Sequence, residues 1–144
     1  MKKCIIIFSI LILFIGYLYA QEISVFQYSE PFGRLNLTLN NENTSSGRNY
    51  YFLLSYIGED FQLYRSITLK INGRDYWLLF ANTTQDWTGV STETYKTGYL
   101  SNEVITALRN ARTIEFTVDS VRWGRNDSFS LSNEALAAIK QFVR

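Results

Sequence analysis

Histidine is absent from the 144 residues, and cysteine and methionine occur once each. Without an imidazole the chain cannot assemble a Ser-His-Asp or Cys-His nucleophile, nor a zinc site with a histidine ligand. Acid–base chemistry would fall to carboxylates: Glu59, Asp60, Asp75, Asp86, Glu93, Glu115, Asp119 and Asp127. A glycoside hydrolase needs two of them facing each other across a cleft, one keeping its proton. Glu59, Asp60, Asp75 and Asp127 sit at turn-like positions, where a carboxylate is expected to be solvated. Asn126-Asp127-Ser128 lacks the fuller acidic spacing of a calcium loop. Lys70, Lys96 and Lys140 have no nucleophile motif around them, and Gly89 and Gly98 are too isolated for a phosphate-binding loop. The pattern calls for no metal and no cofactor. It points to a non-catalytic binding or structural module, with a small carboxylate-dependent hydrolase acting on glycans as the alternative.

The aromatic residues are the more informative group, at 16% of the chain. Trp87 lies in the polar stretch Thr83-Thr84-Gln85-Asp86-Trp87-Thr88-Gly89, and Trp123 lies between Arg122 and Gly124-Arg125. Polar-flanked tryptophans near loops are common anchors of protein and sugar recognition. Trp87, Trp123, Arg122 and Arg125 are therefore the candidate binding residues, for a cell-envelope protein or a glycan. The plainer alternative is that these rings pack over sheet edges. Trp77, enclosed by Tyr76 and Leu78-Leu79-Phe80, is expected in the core. The formal net charge of +1 is too balanced for an electrostatic nucleic-acid binder.

The elements that must position these side chains begin after a separate leader. Met1-Lys2-Lys3, an apolar run from Cys4 to Ile15 and the stretch Gly16–Ala20 have the order of a secretory signal peptide. Leu18 is large for its place near the cleavage site. Cleavage after Ala20 would leave residues 21–144 as one globular domain outside the cytoplasmic membrane, periplasmic or secreted. The alternative is an uncleaved anchor, although Ile5–Ala20 is shorter than the roughly 20 residues of a spanning helix. Cys4 stands at the start of the apolar run, the wrong end for a lipoprotein cysteine. Cleavage would remove the sole cysteine, so no disulfide could staple the domain and its core would have to hold it.

Strands dominate the remainder. Leu35, Leu37 and Leu39 alternate with polar residues, the pattern of a half-buried strand, and 40–49 reads as a polar loop. Tyr50–Ile57 is a continuous apolar run suited to a strand covered on both faces. Ile67, Leu69 and Ile71 alternate up to Asn72-Gly73, after which Arg74–Ala81 is again strand-like. Asn-Gly between two such runs predicts a two-residue hairpin turn. Residues 91–97 can form a strand, Thr113–Asp119 alternates with Ile114, Phe116 and Val118 inward, and Ser128–Leu131 follows a turn. Ser101 and Ser132 are good N-caps for two amphipathic helices. Leu100-Ser101-Asn102-Glu103 recurs as Leu131-Ser132-Asn133-Glu134, either as two independent helix starts or as a duplicated strand-strand-helix unit.

The order of these motifs, through Ile67–Phe80, Glu93, Leu100–Val118 and Phe129–Phe142, covers roughly half the chain. It resembles small exported bacterial domains of unknown function, loosely those of the invasion-associated locus B type. The chain departs from them in lacking their cysteines. The resemblance concerns core and cap positions, so it implies a fold and transfers no catalytic residue. The expected architecture is α+β: a predominantly antiparallel sheet of about five to seven strands with two helices in the C-terminal third.

Overall fold

The computed structural model describes residues 22–30, 33–121 and 125–144. The leader Met1–Ala20 lies outside them. Eight strands and two helices follow one another as β1 (Glu22–Glu30), β2 (Gly33–Thr44), β3 (Gly47–Gly58), β4 (Tyr64–Ile71), β5 (Arg74–Trp87), β6 (Ser91–Thr97), α1 (Asn102–Arg109), β7 (Ile114–Ser120), β8 (Arg125–Ser130) and α2 (Asn133–Phe142). The strands form one curled sheet in the order β1-β2-β3-β6-β5-β4-β7-β8, with every described pair antiparallel.

The sheet has eight strands where five to seven are expected: the eighth strand is β1, and two of the expected strands are longer than their sequences suggest. Glu22–Glu30 pairs with β2 although its sequence alternates weakly. The polar stretch 40–49 is not a loop: β2 and β3 stay paired as far as Thr44 and Gly47, leaving Ser45-Ser46 as the turn. Main-chain hydrogen bonds carry this extension, and they are indifferent to side-chain polarity.

The inner face of the sheet collects the alternating residues. Leu35, Leu37 and Leu39 of β2, Phe52 and Leu54 of β3, Ile67 and Leu69 of β4, and Phe116 and Val118 of β7 are all buried. Both helices lie against this face through Val104 and Leu108 of α1 and Leu136 and Ile139 of α2. Each helix starts as its sequence requires: the Ser101 and Ser132 side chains accept from the N–H groups of Val104 and Ala135. The Arg109 guanidinium donates to the Val143 carbonyl at 2.6 Å and ties the end of α1 to the end of α2. Curling brings the sheet's two outermost strands together. Phe26 of β1 sits 4.8 Å, centroid to centroid, from both Phe116 of β7 and Phe129 of β8, so aromatic contacts hold the seam.

Asn72 and Gly73 form the hairpin tip with φ of 51° and 84°, and Ile71 pairs with Arg74. Asn72 does more than turn the chain. Its Oδ1 accepts from the N–H groups of Arg112 and Thr113, and its Nδ2 donates to the Asn110 carbonyl, so the tip is moored to the chain leaving α1.

Candidate functional site

β5 is the longest strand, 14 residues, and it changes neighbours half-way. Residues 74–79 pair with β4; a bulge between Phe80 and Asn82 follows, and the strand then continues against β6 to Trp87. Such a bulge re-aims the side chains beyond it. Before it, Tyr76, Leu78 and Phe80 pack against the core, and Trp77 and Leu79 stand on the outer face. After it, Thr83, Gln85 and Trp87 pair with Tyr95, Glu93 and Ser91, the buried inward residues of β6.

Trp77 is therefore not a core residue. It is 68% exposed, and Leu79 beside it is 60% exposed. The run Tyr76–Phe80 reads as core because both faces are apolar, but only one face is covered. Trp87 is 55% exposed, in agreement with its polar context, and its ring lies 6.1 Å from that of Phe61 on the β3–β4 connection. Of its three proposed companions, Arg122 and Trp123 lie outside the described residues. Arg125 opens β8 opposite Ser120, and only its backbone is described. Through the register Arg125–Ser120–Tyr64 that position is level with the bulge of β5, three strands away from it and about six residues short of Trp87, so the two are not neighbours.

The structure brings together a group that residue spacing does not reveal. Glu93 is fully buried, and four donors converge on its carboxylate. The N–H groups of Gln62 and Leu63 donate to it at 2.6 and 3.0 Å, the Gln85 amide at 3.1 Å and the Tyr95 hydroxyl at 2.6 Å. Tyr95 in turn accepts from the Tyr64 N–H at 3.0 Å. On the other side of the same connection, the Ser120 hydroxyl donates to the Gln62 carbonyl at 2.8 Å. The segment is thereby clamped between β6 and β7, and Leu63 is held there at φ 58°. Burial first, then the hydrogen bond to Glu93, raises the Tyr95 pKa well above the ordinary phenol value; burial does the same for Tyr64. Glu93 is thus a structural acceptor, its Oε1 taking three hydrogen bonds and its Oε2 one. A hydrolase would need a carboxylate free to exchange a proton with substrate. The sequence signal was Glu93 alternating in step with Tyr95, but Ser91–Thr97 is polar on both faces, so nothing local marked the inner one.

Lys96 is engaged on the other face of β6, by residues of β3 and β2. Its ammonium lies 3.9 Å from the Tyr51 ring centroid and 3.4 Å from a Glu42 carboxylate oxygen. Among the described residues no group of three or more His, Cys, Asp or Glu side chains could hold a metal ion.

One open groove, about 570 Å³, lies between the first half of β5 and α1. Ile71, Tyr76 and Ala107 give it apolar surface, and Asn102, Thr106 and Asn110 give it uncharged polar surface. Arg74 and Glu103 bridge its two walls with an ion pair of 2.7 Å. Comparison with family models, curated proteins and solved structures finds no match to this chain.

Proposed function

We propose that this protein is an exported recognition module, working outside the cytoplasmic membrane, that binds a cell-envelope protein or glycan through β5. The observation that carries the reading is the display of Trp77 and Leu79 side by side on the outer face; Trp87 is exposed at the strand's far end, on the face that carries Ser91 and Glu93. Large apolar side chains that remain mostly solvated contribute little to folding, while tryptophans are frequent anchors of binding energy. A rigid sheet presents them with little ordering cost on association. Export rests on the basic, apolar and small-residue order of Met1–Ala20.

The test is quantitative capture from cell-envelope extract by protein purified from cells expressing the full chain, compared with Trp77→Ala and Trp87→Ala. Partners retained by the parent and lost from either variant, at unchanged melting temperature, support the reading. Identical capture by all three proteins refutes it. N-terminal sequencing of the exported material tests the leader: it should begin at Gln21 or within a residue or two, whereas an intact Met1 would leave an anchored protein.

A further inference from the structure

We propose that the first half of β5 takes an extended segment of a partner polypeptide as an added strand along its open edge, beside the groove that it forms with α1. This rests on the reading of the protein as a recognition module and names its class of ligand. The argument begins with the hairpin. In a two-residue turn the flanking residues, here Ile71 and Arg74, form a hydrogen-bonded pair, and the pattern then alternates. Arg74, Tyr76 and Leu78 therefore direct their main-chain groups to β4, and Asp75, Trp77 and Leu79 direct theirs away from it. The Leu79 carbonyl confirms the parity, because it accepts from the Gly98 N–H at 3.3 Å.

Among the described residues that bond is the last one on this side. β6 ends at Thr97, and the chain turns off to β3, where the Leu100 N–H donates to the Tyr50 carbonyl at 2.8 Å. Among the described residues, no backbone bond is made to Asp75 or Trp77 from the open side. The sheet is split here, and beside the split runs the groove lined by Ile71, Asn72, Arg74 and Tyr76 on one side and by α1 on the other.

An unpaired edge is normally blunted by charge. Lys70, Arg74, Asp75 and Glu103 supply such charge, but they gather at the hairpin end. The middle of the edge instead carries Trp77, the most exposed large apolar side chain described, followed by Leu79. Main-chain donors and acceptors at every second residue match another extended backbone, a pattern that a glycan does not repeat. The groove decides which backbone. β5 of a second copy would arrive with its own β4 and α1 attached, against the α1 that already stands across the groove, so the occupant assigned here is a free extended segment. The fitting segment carries an apolar side chain beside Trp77 on the outer face and small or polar side chains towards Thr106 and Ala107. The exposed Arg74–Glu103 pair over the groove opens at little cost.

The experiment is selection of random nonapeptides displayed on phage against protein purified from cells expressing the full chain, in parallel with a glycan microarray. Enriched peptides are then titrated against the parent, Asp75→Ala and Asp75→Pro. Proline removes the outward N–H while leaving the β4 bonds and Trp77 in place, and edge strands tolerate it. Enriched peptides should bind the parent and Asp75→Ala equally, bind Asp75→Pro at least about tenfold more weakly, and slow hydrogen exchange at Asp75 and Trp77. Circular dichroism must show Asp75→Pro folded; if it does not, the exchange measurement on the parent decides. Peptides bound equally by all three proteins, with no protection at Asp75 and Trp77, overturn the edge site and spare the recognition reading. So does glycan binding that depends on Trp87 with no peptide enriched. A dimer in sedimentation that Asp75→Pro abolishes would give the edge to a second copy and overturn the partner assigned here. No ligand on either library overturns the edge site, and the capture experiment then decides the recognition reading by itself.

Discussion

Replacing Glu93 by Gln keeps the side chain's shape and changes its hydrogen-bonding chemistry, which makes it the sharpest perturbation of the buried network. The carboxylate accepts from four donors through two oxygens, with Oε2 serving only the Gln62 N–H. An amide can leave its oxygen at the Oε1 position, but its NH₂ then faces that N–H, donor against donor. One stranded buried donor costs about 1–3 kcal/mol, and the surviving bonds fall from charge-assisted to neutral strength, at about 1 kcal/mol each. The Gln85 amide belongs to an exposed residue and can turn to water, so its share is small. Burying a neutral group rather than a charge returns part of the loss. The expected net destabilisation is about 3 kcal/mol, or roughly a 10 °C fall in melting temperature for a domain of this size. Urea unfolding at pH 7, followed by circular dichroism, measures it. Amide exchange should quicken first at Gln62 and Leu63. Tyr95→Phe should cost about 1–2 kcal/mol, since it strands the Tyr64 N–H, and should couple to Glu93→Gln by roughly 1 kcal/mol in a double-mutant cycle. A Glu93→Gln protein within about 1 kcal/mol of the parent would refute the account of this carboxylate as a clamp.

Gly73→Val should lower stability by about 1 kcal/mol or more, because a β-branched residue must be forced to φ near 84°; an unchanged urea midpoint would contradict the turn. Trp77→Ala should cost less than about 1 kcal/mol, while Phe116→Ala, fully buried between sheet and seam, should cost about 3–5 kcal/mol; comparable losses would contradict the exposure of Trp77. At alkaline pH, Tyr64 and Tyr95 should hold their protons beyond the ordinary phenol range and ionise only as the protein unfolds. Their folded-state pKa values are raised, so the stability they contribute is complete below about pH 10 and is lost as pH climbs towards those values. Phenolate absorbance and circular dichroism recorded together check this: the final absorbance step should coincide with loss of structure.

Short-range physics was legible directly. Ser101 and Ser132 cap helices because a hydroxyl one turn from an orphan N–H needs no distant partner. Asn72-Gly73 turns the chain because both residues tolerate positive φ. The Leu35–Leu39 and Ile114–Val118 alternations announced their buried faces, since the other face is polar. Where both faces are alike, the residues were silent. β5 is apolar on both sides at Trp77 and β6 is polar on both sides at Glu93, so the inner face is set by what packs there. For Glu93 that is Gln62, 31 residues away, and for the seam it is Phe26 meeting Phe116 and Phe129 across the curl. The open edge of β5 has the same origin. It exists because β6 stops at Thr97 and the chain crosses to Tyr50, where Leu100 is buried. Capping, turns and alternation are interactions among near neighbours and are written locally. Which face is buried and which edge stays unpaired depend on chain segments that meet only in the folded state.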